Sequence, residues 1–448
     1  MNYLSQSISV LLAFILLSQA AFAEPNLNVA REVQHAGDIL SLAEAEHIAV
    51  SDNFGLASMA SRAKAFAEIP PQVGTLPDPH LSLGVVSLPV DTFSITQENM
   101  TQMRVGLSQE IPFPGKLQAK EEAAQFEAES ASYDVVESRL RLVRNVNIAW
   151  WNLFYLDRAL EIVTRNQELL RQFIRIAETK YTVGEGLQQD VLLAQVELSK
   201  LLDVEIQFVG ARKGEESRLN ALLNRPALET IRLPEMVNQS LPVLPAEAEL
   251  HQIASQERPL LASQGERIHA AMKRVDLAEL DYYPDFKIGG AWGGRSGVNP
   301  VSRQSRADLA SLGISFNLPI FTSSKQDRAL EQRKANVEKE RFALQDATQS
   351  VWAEASTSLA DYTRTKQQAS LFKTGIIPQA SQTVDSMLAG YQVNKVDFLN
   401  LVRSQITLYN YETLYWRALT GARQSLARLE AAIGQTISKK LVKENINE

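Results

Sequence analysis

The chain contains no cysteine in its 448 residues. That absence excludes disulfides, zinc–thiolate sites, iron–sulfur clusters and lipid attachment through an N-terminal cysteine. Histidine is scarce as well: His35, His47, His80, His251 and His269 are scattered, with no pair at metal-ligand spacing. The Gly-rich stretch GGAWGGRSG lacks the Lys-Ser/Thr of a phosphate loop, and no nucleophile elbow or zincin motif appears. His80 with Met100 and Met103 could supply soft-metal ligands, but their places in a strand and a loop favour plainer roles. No metal, no cofactor and no enzymatic activity are expected. The net charge is −7 and Lys and Arg form no run, which argues against a nucleic-acid surface.

Long apolar runs are missing too, except at the start. The stretch ISVLLAFILLSQAAFA ends in Ala21-Phe22-Ala23, a small-x-small pattern that predicts a signal peptide over 1–23. Its leading MNYLSQS departs from the usual pattern, having no Lys or Arg. The rest of the chain offers no apolar run of the ~18 residues that a membrane helix needs. If the mature protein enters a membrane, it does so through strands.

What the chain does have is a duplication. The stretch YTVGEGLQQDVLLAQVEL (181–198) returns as YQVNKVDFLNLVRSQITL (391–408). LPDPHLSLG (76–84) resembles YYPDFKIGG (282–290), VGLSQEIPF (105–113) resembles LGISFNLPI (312–320), and HIAVSDNFGLA (47–57) resembles QIASQERPLLA (252–262). Four landmarks in one order, offset by 205 to 210 residues, define a first repeat over 24–231, a linker over 232–247, a second repeat over 248–435 and a charged tail over 436–448. Each repeat reads as a helix of about thirty residues (39–69 and 246–280), a strand pair, a very long helix, a turn and a returning helix.

The strand pairs, near 79–111 and 285–318, alternate cleanly. Leu81, Leu83, Val85, Met103, Val105 and Leu107 share one face in the first repeat; Phe286, Ile288, Trp292, Leu312, Ile314 and Phe316 share it in the second. Their opposite face is small or polar. Strands of about nine residues are long enough to cross a bilayer at a tilt. Four strands cannot close a barrel, and lipid tolerates no open edge, so lipid-facing strands require several chains; three would give twelve. The long helices have no Pro or Gly from Lys116 to Val183, or from Thr322 to Thr374, after which Gly375 and Pro378 predict a kink. The helical hairpins should cover about 115–224 and 322–433. Gly184 and Asn394 hold matching places in the two turns, and both residue types tolerate the positive φ a hairpin needs. Asp190, near the start of a returning helix, suits the positive end of its dipole.

The collinear order of signal peptide, duplication, strand pairs, helical hairpins and Y-x-V-G turn resembles the TolC-like outer-membrane efflux family, over nearly the whole mature chain. SQEIPFPGK, entering the first long helix, looks most like the heavy-metal cation efflux branch. The resemblance implies a mainly α homotrimer in the outer membrane of a Gram-negative bacterium. A twelve-stranded β-barrel in lipid would continue as a twelve-helix periplasmic α-barrel. It would be a passive exit duct joined to a periplasmic adaptor (membrane fusion protein) and an inner-membrane transporter of the resistance-nodulation-division type. It further implies that Tyr181, Val183, Gly184, Gly186 and Asp190, with Tyr391, Val393, Asn394, Asn400 and Arg403, form the periplasmic tip, gating the tunnel and docking the adaptor. The family often carries an acidic ring there; this sequence has Asn400 opposite Asp190, and Arg403 one turn on. A less acidic gate, or one latched by Asp190–Arg403 contacts, is expected. A drug-efflux or type I secretion duct of the same fold, and a soluble periplasmic coiled-coil scaffold, are the alternatives.

Overall fold

A computed structural model describes residues 39–299 and 301–437. The expected signal peptide, the start of the first repeat before Ile39 and most of the tail lie outside the described residues.

The two halves of the described chain follow a similar order of elements, though not one for one. In the first repeat come α1 (Leu42–Asp52), α2 (Phe54–Ala67), α3 (Ile69–Gly74), β1 (His80–Val86), β2 (Gln102–Ile111), α4 (Lys116–Thr182) and α5 (Gln188–Leu222). The second has α6 (Glu247–Glu257), α7 (Pro259–Leu280), β3 (Phe286–Gly294), β4 (Leu309–Phe316), α8 (Gln326–Leu371), a π turn (Phe372–Ile376), α9 (Ile377–Gln392) and α10 (Phe398–Ile433).

The expected opening helix of about thirty residues is broken in both repeats, at positions 205 apart. Asn53 takes an extended conformation (φ −76°, ψ 118°) and caps α2, its side chain accepting from the Leu56 N–H. Arg258 does the same before Pro259 (φ −73°, ψ 115°), because the proline ring disfavours helical geometry in the residue ahead of it. In the first repeat Pro70 and Pro71 also set α3 apart from α2.

Helix α4 runs unbroken for 67 residues, about 100 Å at the ordinary rise. It starts just after Gly115, whose φ of 93° turns the chain out of the sheet. Helix α8 stops at the π turn, just before Pro378, which has no N–H for the preceding ladder; the predicted break takes this form.

Four apolar clusters hold the helices among the described residues, three of them large. The first gathers Trp150, Leu153 and Phe154 of α4 with Ala45 and Ala49 of α1 and Leu219 of α5. Its repeat counterpart gathers Leu250, Ala254, Val351, Leu426, Leu429 and Ile433. Burial of each large side chain contributes about 1.5–3 kcal/mol. Trp150 sets its indole N–H on the Leu40 carbonyl at 3.1 Å, so the polar end of this buried ring is satisfied. The third cluster lies at the far end of the hairpins.

The four strands form one antiparallel sheet in the order β1-β2-β3-β4. The register pairs Leu83 with Val105, Val105 with Trp292 and Ile288 with Ile314, so the predicted apolar set does share one face. That face is solvent-exposed in the single chain: Leu83 is 72% exposed and Leu312 93%. Phe286, half-buried, packs its ring 6.4 Å from that of Phe316. On the other face glycines let strands carry side chains past one another: a Cβ on Gly106 would sit 2.6 Å from Ser82 Oγ. His80 and Met103 point to opposite faces, which removes them as joint metal ligands. Among the described residues no helix is long and apolar enough to cross a membrane.

Candidate functional site: the paired interhelical turns

The two turns lie side by side at the end of the hairpins, and their backbones are alike. Gly184 (φ 78°) and Asn394 (φ 59°) occupy the left-handed region, as their matching offsets predicted. Each donates its N–H to a tyrosine carbonyl three residues back: Gly184 to Tyr181 at 3.1 Å, Asn394 to Tyr391 at 3.2 Å. Val183 and Val393 end the preceding helices.

Space is managed by a small-for-large exchange between the copies. A Cβ on Gly186 would sit 2.9 Å from the Lys180 Cβ, so glycine is needed there. In the second copy the partner positions are Gly390 and Val396, and now the glycine is on the helix: a Cβ on Gly390 would meet Val396 at 2.6 Å. The turn is thus conserved in shape while its bulk moves from one arm to the other.

The carboxylate moves as well. In the second turn Asp397 is the N-cap of α10 and accepts from the Leu399 N–H at 2.7 Å. Asn400 donates to its other oxygen at 3.1 Å. In the first turn Leu187 holds the cap position and can offer no side-chain oxygen. Asp190 supplies it from three residues on, reaching back to the Leu187 backbone N–H. This is the N3 half of a capping box. Asp190 thus stands in the first turn of its helix, where the Leu187 N–H favours its charged form and the Asp397 charge opposes it. Burial raises the Asp190 pKa, with the Asp397 charge adding to it and the Leu187 N–H opposing.

Two observations on the single chain bear on the expected gate. The Asn400 position does not leave the second turn without an acid, since Asp397 stands one turn earlier and caps α10. Its signal was in the sequence, an Asp directly before an apolar helical run, but comparison at Asn400 alone missed it. Nor does Arg403 reach Asp190 within the chain: it is exposed and forms no ion pair among the described residues. Lys180 is the basic residue that matters inside the protomer, and the sequence reading overlooked it. From the first turn it donates to Asn394 Oδ1 and, at 3.4 Å, to the Gln392 carbonyl. Its ammonium also stands 5.0 Å from the centre of the Tyr391 ring.

The two tyrosines of the repeat have opposite fates. Tyr391 is 5% exposed, packed 5.1 Å from the Phe398 ring, while Tyr181 is 48% exposed. The Tyr391 hydroxyl has no hydrogen-bond partner among the described residues. Burial, with the Asp190 charge adding, pushes its pKa up to about 12.

This organisation matches known proteins along its length. Residues 60–225 and 250–435 each match the sequence profile of the outer membrane efflux protein family, so both structural repeats are covered. The chain belongs to the outer membrane efflux protein family. It is similar to the cobalt-zinc-cadmium resistance protein CzcC of Cupriavidus metallidurans, 21% identical over 93% of this chain and 97% of that one. The alkaline protease secretion protein AprF of Pseudomonas aeruginosa is 22% identical over 56% of this chain and 52% of AprF. Among solved structures, the outer membrane protein VceC of Vibrio cholerae superposes with a TM-score of 0.73 at 17% identity, over 88% of this chain and 96% of that one. The family's fold, long helical hairpins on a small sheet, is that of this chain.

Proposed function

We propose that this chain is one third of an outer-membrane exit duct. Three copies would close a twelve-stranded barrel continued by twelve helices into the periplasm, and would carry cargo delivered by a periplasmic adaptor and an inner-membrane transporter. The observation that carries this reading is an unfinished symmetry. Helix α10 lies against α4 of the first repeat, burying Val402 and Gln405 and partly burying Ile406; Gln405 donates to Asn166 Oδ1 at 2.7 Å. The matching residues of α5 are Leu192, Gln195 and Val196, and all three are exposed. The apolar stripe continues through Leu202 and Ile206, which is 71% exposed. A face that is covered inside one chain is bare on its copy, and a second chain offers the missing cover. The sheet has the same shortfall, with β1 and β4 both unpaired on their outer edges.

Heavy-metal cations are the proposed cargo, on the strength of the full-length similarity to CzcC. The partial similarity to AprF keeps protein secretion as a second reading. The paired turns are the proposed tip, with Tyr181, Val183, Gly184, Gly186, Asp190, Tyr391, Val393, Asn394, Asn400 and Arg403 at the gate and adaptor-docking surface. Deleting the gene in its own host should raise sensitivity to cobalt, zinc or cadmium salts, and the detergent-extracted protein should have the mass of a trimer. A monomer that stays soluble without detergent would end the barrel reading; an unaltered metal tolerance would end the cargo assignment.

A further inference from the structure

We infer that the inner wall of the molecule carries a binding site for small multivalent oxyanions: phosphates, polycarboxylates and the anionic chelates these form with metals. This rests on the duct reading in one respect only, that the concave face lines a passage. Helix α2 packs on α4, α4 on α7 and α7 on α8, giving a wall four helices wide. A cavity of about 390 Å³ touches all four of them, so it opens on the face toward which the wall curves.

Its charges do not balance. Three acids line it, and each is taken by one base: Asp134 by Arg267 at 3.0 Å, Glu340 by Lys339 at 2.6 Å and Glu127 by Arg274. Two guanidiniums are left over. Arg62 lies over the Phe66 ring, 5.5 Å from its centre, and Arg333 stands opposite on α8; neither meets a carboxylate among the described residues. Arg274 registers the crowding, its guanidinium pKa lowered by burial and by the Arg333 charge. Ser130 and Asn336 supply neutral polar groups beside these cations. Planar fork donors of this kind suit carboxylate and phosphate oxygens, and a bare cation would be repelled.

The polar face of the sheet carries cationic side chains as well, with Glu110 across from Lys287 in the register and Arg104 left over. That face has a second depression lined by Ser82, Ser108, Ser311, Arg104 and Lys287, with the Arg104 guanidinium donating to Ser311 Oγ at 3.2 Å. Under the duct reading both sites face the passage, one above the other. A cation leaving by this route would then pass the upper duct as an anionic complex, or with anions resident on the wall.

The test uses the detergent-purified full-length assembly and inorganic pyrophosphate as probe. Calorimetry should detect pyrophosphate binding that weakens about tenfold or more in Arg62→Gln/Arg333→Gln, as expected for loss of two charge-assisted contacts. Arg62→Lys/Arg333→Lys keeps both charges without the planar fork, so it should bind more tightly than the Gln variant and more weakly than the wild type, and it checks that the fold tolerates change at these positions. In planar bilayers, pyrophosphate should lower the conductance of the wild type and leave that of the Gln variant unchanged. Equal pyrophosphate binding by wild type and Gln variant, or none by either, overturns the site. Binding that is lost in the Gln variant, from a protein that conducts nothing, upholds the site and overturns the duct.

Discussion

At the scale of single residues, the paired turns hold two groups whose surroundings oppose them. Tyr391 buries a hydroxyl without a partner among the described residues, and an unpaired buried polar group costs free energy that its removal recovers. Tyr391→Phe should leave thermal stability unchanged or raise it by up to ~1 kcal/mol, read as a midpoint shift in calorimetry. A clear loss would mean that the hydroxyl has a partner in the assembly. Its pH dependence has a definite sign. The phenol titrates near 10 when unfolded and at about 12 in the fold, so between those values the folded chain holds the extra proton. Stability from this group is whole below pH ~10 and falls as pH rises toward about 12; the Phe variant should lose that alkaline slope. Asp190 and Asp397 repel across the turns, each near the start of a helix. Asp190→Asn keeps an acceptor for the Leu187 N–H and removes the repulsion, so tip amides should exchange more slowly at neutral pH. The gain should vanish in acid, where both carboxyls are protonated; slower exchange that persists there would point to packing, not charge.

Elements tell how far the sequence could be read. The 67-residue helix α4 was legible because the absence of Pro and Gly is a local property, and so were the strand faces, because alternation is. The helix breaks at Asn53 and Arg258 were harder. Asn53 is an ordinary helix residue until its amide reaches the Leu222 carbonyl at 3.1 Å, a contact between distant segments. Arg258 had a local signal in Pro259, but its importance is tertiary. It is 3% exposed and joins three helices, with Glu137 of α4 at 2.9 Å, Glu354 of α8 at 3.5 Å and the Ala431 carbonyl of α10. Periodicity cannot announce a charge buried at a helix break. Among the site residues, Gly184 and Asn394 were legible from backbone need, whereas Lys180 was not, since its partners belong to the other repeat. Glu137→Ala should leave Arg258 buried with Glu354, at 3.5 Å and partly exposed, as its remaining carboxylate. Breaking such a pair costs about 3–5 kcal/mol, so the chemical denaturation midpoint should fall sharply. A drop below ~1 kcal/mol would mean that Glu354 takes over the pairing.

For the whole molecule, the duplication makes a prediction that neither repeat makes alone. Val402 and Leu192 are the same position in the two copies, one 1% and the other 53% exposed. If a neighbouring chain covers the second, the same substitution must act at two levels. Val402→Asp puts a charge into the protomer's own core, at a cost of several kcal/mol, and should prevent folding or assembly alike. Leu192→Asp, joined with Val196→Asp to remove the stripe near the tip, should leave helix content and the protomer's core intact. What it should lose is the proposed trimer, seen as a fall in mass of the detergent complex, and with it any metal tolerance that depends on the proposed duct. The separation of the two outcomes is the informative result. If Leu192→Asp/Val196→Asp assembles as the wild type does, the bare stripe does not face a second copy, and the proposed trimer contact there is wrong. If both variants fail to fold, α5 depends on that face for its own stability, and the repeat symmetry does not describe the assembly.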